Sequence, residues 1–202
     1  DIKMRLVGSN PLWGHYLWNA AKRLANYLDE HTELIKNKNV VELGAAAGLP
    51  SLISTDYPDR ELIENLGFNF RKNVPEMVNN GQALVKGYIW GNSTEGLMEI
   101  IEPDQEYDLI LLSDLIFNHS QHHALLKSCR ELLGASASNN LPRQQKPQRA
   151  SSSPLISKKS NGQVLVFFTH HRPWLADRDM KFFELAESPE YGFRVEKVLE
   201  EY

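Results

Sequence analysis

The sequence is poor in cysteine, in excess positive charge and in long apolar runs. Only Cys129 stands among its 202 residues, which excludes an internal disulfide and fits a reducing compartment. The formal net charge is −4 and the sequence pI about 6.0, whereas a generic nucleic-acid binder carries a strongly basic balance. No apolar run nears the ~20 residues needed to span a bilayer, and no signal-like segment opens the chain. The loop "GAAAG" at 44–48 lacks the third glycine of the dinucleotide fingerprint G-x-G-x-x-G. A nucleophile elbow with Ser–His–Asp order is also missing, so acyl transfer is not expected. These absences point to a soluble, cytoplasmic protein that engages neither membrane nor nucleic acid.

What is present is a hydrophobic fraction of 42%, enough for one sizeable core in a single domain over 1–202. Residues 13–30 read as an amphipathic helix, with Leu17, Ala21, Leu24 and Leu28 at three- and four-residue steps. A strand over 39–43 and a short helix over 49–54 follow. Pro58 suits the first turn of a helix carrying Leu62, Leu66 and Phe70 on one face, with Asp59 available as its cap. "ALVKGYIWG" (83–91) is β-rich and 94–101 helical. "YDLILLSD" (107–114) and "QVLVFFTH" (163–170) are nearly continuous apolar runs, as buried parallel strands require. Helices are expected over 120–133 and 175–186, and "FRVEKVLEE" (193–201) alternates like a half-exposed antiparallel strand. Strands alternating with helices specify an α/β three-layer sandwich around a mostly parallel sheet. Residues 135–162 carry Arg143, Lys146, Arg149, Lys158 and Lys159 in a Ser-, Pro-, Gln- and Asn-rich setting without an acid. They read as a flexible insertion, with a polyanion-binding patch as the alternative.

The chemistry gathers at strand ends. Glu42 precedes the glycine loop and would repel a pyrophosphate but favour a cationic head group, so the loop suits a sulfonium cofactor. A plain strand–helix turn is the alternative. Asp56 suits the two hydroxyls of a ribose, or else a helix cap. Trp90 follows the third strand, where an indole can stack on an adenine. Ser113 and Asp114 end the fourth, and open α/β sheets bind ligands beyond the carboxyl ends of their strands. Yet Asp56 comes only twelve residues after Gly44, where a βαβ unit places its acid roughly 20 on. His119, His122 and His123 cluster at a helix start, but the adjacent pair faces different ways, so no metal site is expected. His170 and His171 follow the buried strand 163–169 on the same edge and are candidates for shaping an acceptor pocket.

The stretches "RLVGSNPLWGHYLWNAAKRLANYLDEH", "VVELGAAAGLPSL", "TDYPDRELIENLGFN", "KGYIWGN", "DLILLSDLIFNHSQHHALLKSCRELL" and "VFFTHHRPWLADRDMKFFELA" together strongly resemble a group of fungal seven-β-strand methyltransferases. The resemblance covers nearly the whole chain outside 135–162. It implies a Rossmann-like fold and S-adenosylmethionine as cofactor, contacted by Trp13, Gly44, Ala45, Ala46, Asp56, Trp90 and Ser113. It places Asp114-Leu115-Ile116-Phe117 on the group's D-x-x-Y/F motif beside the acceptor amine. Asp114 and Phe117 are thereby the catalytic candidates: Asp114 to orient the amine, Phe117 with Trp13 to wall a channel and stabilise the cation. It further implies methylation of the N-terminal glycine and adjacent lysine of elongation factor 1-alpha. The alternatives are nicotinamide as acceptor, or a catalytically silent partner-binding protein. We expect a monomer. The group carries additional residues between "PSLIS" and "TDYPD" and a hairpin to a seventh strand after the sixth. From this we expect a chain break between Ser54 and Thr55, with part of the sheet missing and Asp56 at the sheet's carboxyl edge beside Gly44.

Overall fold

The computed structural model describes residues 2–8, 15–48, 53–134 and 162–200. Within them, β1 (Val40–Leu43), β2 (Ile53–Asp56), β3 (Leu84–Gly87), β4 (Leu109–Ser113) and β5 (Gln163–Phe167) pair in parallel in the order β3-β2-β1-β4-β5. Every residue of β4 is buried, which explains its unbroken apolar run. Successive side chains of a strand point to opposite faces. Ile110 and Leu112 accordingly join the core under α5 (His122–Leu132) and α6 (Ala176–Glu187), together with Leu125, Cys129 and Phe182. Leu109 and Leu111 instead meet Leu24 and Leu28 of α1 (Asn19–Glu30). The result is the expected three-layer, Rossmann-like sandwich. Chain order reverses between β1 and β4, the topological switch point at which such sheets bind ligands.

The second strand is in place, so the expected break does not occur. Ser54 and Thr55 are successive rungs of β2, opposite Glu42 and Leu43 of β1, and both are fully buried. The helix expected over 49–54 therefore gives way to strand at 53–54, while 49–52 lie outside the described residues. Isoleucine and threonine favour the pleated backbone, and the Thr55 hydroxyl donates to the Glu42 carbonyl at 3.0 Å. Only residues 44–52 join β1 to β2, fewer than the dozen or so that usually make a parallel crossover.

Two further expectations are corrected. Helix α1 begins at Asn19 rather than residue 13, because Tyr16, Leu17 and Trp18 line the cleft described below. Residues 193–200 form no strand. Phe193 and Val195 pack against the α5/α6 core and Leu199 against the α1 side, so their alternation reflects burial without a ladder partner. Apart from Gly162, the basic stretch 135–162 lies outside the described residues.

Helix α2 (Arg60–Asn73) carries a feature that periodicity did not announce. Asn65, Asn69 and Asn73 stand four residues apart and so share one face. Asn73 and Asn69 accept from the backbone N–H groups of Lys3 (3.0 Å) and Arg5 (2.8 Å). Asn65 and Asn69 donate back to the Arg5 carbonyl, and Asn69 also to the Ala47 carbonyl at 3.1 Å. The amides thus satisfy an extended segment that no strand pairs, and tie it to the glycine loop.

Candidate active site

The glycine loop is held from below by its own neighbours. Ala45 N–H donates to the Thr55 carbonyl at 2.9 Å, and Ala46 N–H to Asp56 Oδ2 at 2.6 Å. Gly44 has φ +67°, and a Cβ there would lie 2.7 Å from Leu115 Cδ2 and 3.0 Å from Trp90 Cζ2. Only glycine lets the backbone run this close to the indole. Asp56 stands at the carboxyl end of β2, where Tyr57 N–H also donates to its Oδ1 at 2.7 Å. Burial raises its pKa, against the pull of those two N–H groups. Asp59, not Asp56, caps α2 by accepting from Glu61 and Leu62 N–H. That leaves the spare lone pairs of Asp56 for a ligand, since each carboxylate oxygen has two.

Beyond the ends of β1 and β4 lies a shallow cleft lined by Tyr16, Leu17, Trp18, Glu42, Gly44 and Ser113. Among the described residues, Ser113 Oγ and Asp114 Oδ2 are buried without a hydrogen-bond partner. Asp114 has the Ala20 backbone beside its carboxyl, whereas Ser113 Oγ lines the cleft. A buried orphan hydroxyl is costly to leave unpaired and suits a ligand that supplies the missing bond.

At the outer end, Asp114 has a positive φ of 53°. Its backbone N–H reaches the Phe167 carbonyl at 2.8 Å. Its Oδ1 accepts from Thr169 N–H at 2.8 Å and from His171 Nε2 at 3.0 Å, and its side chain is 1% exposed. Burial pushes its pKa up, while Thr169 N–H and His171 favour the charged form. The His171 ring packs 4.7 Å from Trp18 and edge-on to Phe117 at 5.7 Å, centroid to centroid. Arg172 donates to the Phe117 carbonyl at 3.0 Å, which fixes the wall that Phe117 forms. Behind it, the buried Asp179 of α6 accepts from both His119 and His170 at 2.7 Å. Burial pushes the Asp179 carboxyl up, but the two histidine bonds outweigh it and hold it below the usual range. His122 is buried and donates to the Ile116 carbonyl at 2.7 Å, a packing role.

The structure thus brings Gly44, Ala45, Ala46, Asp56, Trp90 and Ser113 to one edge, and Asp114 and Phe117 to its outer end. Trp90 sits in the turn after β3 rather than on the strand. Trp13 lies outside the described residues. Sequence reasoning missed Tyr16 and Trp18, assigned to a helix, and the Asp114–His171 pair. The aromatic cluster "HYLW" (15–18) was the available signal. Aromatic walls and buried carboxylates suit transfer between a cationic donor and an amine.

Residues 5–158 match the family described as lysine methyltransferase. The chain is similar to the protein N-terminal and lysine N-methyltransferase of Schizosaccharomyces pombe, 42% identical over all of this chain and 72% of that protein. Its counterpart in Cryptococcus neoformans is 44% identical over 100% of this chain and 68% of the relative. That of Candida glabrata is 40% identical over 98% and 70%. The match to the fission-yeast protein runs over 213 positions, more than this chain's 202 residues, so the relative has residues without a counterpart here. With a family match across most of its length and relatives this close, the chain belongs to the lysine methyltransferase family and is a methyl-transferring enzyme.

Proposed function

We propose that this enzyme uses S-adenosylmethionine to methylate the N-terminal glycine and adjacent lysine of elongation factor 1-alpha, acting as a monomer in the cytoplasm. The observation that carries this reading is the identity of 40–44% to relatives named for protein N-terminal and lysine methylation. The cleft supports it. Asp56 offers acceptor lone pairs for ribose hydroxyls, Gly44 and Ala45 give close backbone approach, and Ala46 orients Asp56. Trp90 beside Gly44 offers a stacking face for an adenine, and Trp13 completes the set by its place in the sequence. Ser113 Oγ is a buried group in need of a partner, and Glu42 places negative charge by the cationic end. When bound, the cofactor supplies an electrophilic methyl group.

The protein's own task is placement. Reactive atoms held about 3–3.5 Å apart make the transfer effectively unimolecular. Phe117 and Trp18 wall the outer end, and Asp114 fixes the loop that carries His171. Incubation with labelled S-adenosylmethionine should modify the factor and its N-terminal peptide but not nicotinamide, with mass spectrometry locating the label on glycine or lysine. Asp114→Ala should lower transfer about 100-fold, the scale of a misplaced reacting pair. Labelling of nicotinamide alone, or of nothing in a cell lysate despite cofactor binding, would replace this reading with one of its two alternatives.

A further inference from the structure

We propose that His171, held by Asp114, is the base that takes the proton from the substrate's ammonium group. The inference rests on the reading above, that the acceptor is a protein amine. Three observations carry it. First, Asp114 cannot itself present its Oδ1 to a substrate. That atom already accepts from Thr169 N–H and His171 Nε2, and the side chain is 1% exposed. Second, a carboxylate oxygen that accepts twice leaves His171 Nε2 as the donor, which places the ring's lone pair on Nδ1. No described group bonds to that atom. Third, His171 is 27% exposed and packs against Trp18 of the cleft and against Phe117. It therefore has both a substrate side and a way to water.

An amine reaches the site at neutral pH mostly as ammonium, since a protein α-amine has a pKa of about 7.7–8.0 and lysine about 10.4. His171 Nδ1 takes one proton and leaves a neutral amine. The amine's electron pair forms the N–CH3 bond, the methyl–sulfur bond breaks and its electron pair stays on sulfur. The product leaves as a methylammonium and His171 returns its proton to water, so charge and atoms balance. The charged and titratable groups around His171 are Asp114 just after β4, Arg172 beside it, Glu42 in the cleft, and the His170–Asp179–His119 bridge behind. His15 lies against Tyr16 at the cleft mouth.

The test compares wild type, His171→Gln and Asp114→Asn on a free-amine N-terminal peptide from pH 6 to pH 10. Thermal unfolding confirms that each variant is folded. His171→Gln is expected to lose about 100-fold in kcat at pH 7, and the deficit should shrink as the pH passes the amine's own pKa, where substrate arrives neutral. Asp114→Asn should show the same pH-dependent deficit in milder form. Without turnover, imidazole nitrogen NMR of wild type with S-adenosylhomocysteine should show Nε2 protonated. The Nδ1 resonance should move with the free-amine peptide but not with its acetylated form. An equal loss at every pH, or an Nδ1 resonance indifferent to the amine, overturns the base assignment while leaving the enzyme a protein methyltransferase. A wild type that never labels the peptide removes the functional reading, and this inference with it.

Discussion

Asp179 shows how one side chain organises the outer wall of the site. It is 3% exposed and accepts from His119, in the turn just before α5, and from His170 after β5, both at 2.7 Å. Burial alone would raise its pKa, but the histidine bonds leave it depressed. A carboxylate whose folded pKa lies below its unfolded value of about 3.9 stabilises the protein above that pH. The contribution is lost as pH falls through 3.9 toward the folded value. Denaturant midpoints measured between pH 5 and pH 3 should therefore fall less steeply in Asp179→Asn than in wild type. At pH 7 the same variant should be less stable by about 2–3 kcal/mol, as expected for charge-assisted bonds to a buried acid. Equal slopes for the two proteins would mean that the pair contributes no pH-dependent stability.

At the scale of elements, helix α2 supports the site from behind its glycine loop. Its asparagine face satisfies the backbone of residues 3–5, and Asn69 also bonds the Ala47 carbonyl of the glycine loop. Asn69→Leu would deprive the Arg5 N–H and the Ala47 carbonyl of this partner, while the Arg5 carbonyl keeps Asn65, at a cost of about 2–4 kcal/mol. Hydrogen exchange of Arg5 should accelerate, and affinity for S-adenosylhomocysteine should weaken because the loop loses its anchor. Unchanged exchange at Arg5 would show that water replaces the amide without penalty. The opposite side of the same loop is set by Gly44. Its positive φ and contact with Trp90 leave no room for a side chain.

At the scale of the molecule, Cys129 reports on the integrity of the core. It is 0% exposed in the cluster beneath α5 and α6, and burial pushes its thiol up to about 12. The thiolate is the reactive form. A disulfide reagent at pH 8 should thus modify the native protein only at the rate of global unfolding, with stoichiometric labelling in denaturant. Rapid labelling of native protein would mean that the α5 layer opens locally.

How much was legible in the sequence follows from the range of the forces involved. The parallel sheet could be read because β4 and β5 are apolar runs, a pattern that burial on both faces imposes residue by residue on β4, while β5 at the edge is only partly buried. Gly44, Asp56 and Ser113 could be placed because strand ends in such a sheet converge by topology. The sequence by itself determined these things, since they depend on periodicity and on the chemistry of single residues. Only the tertiary structure decided the rest. Ile53–Asp56 is a strand because a buried slot beside β1 receives it, and no local propensity announces that slot. Residues 193–200 alternate yet form no strand, because a ladder needs a neighbour that the pattern cannot name. The pairing of Asp114 with His171, across 57 positions of sequence, arises where β4 and β5 end side by side. A contact between residues so far apart belongs to the packing of the sheet and is written in neither segment alone.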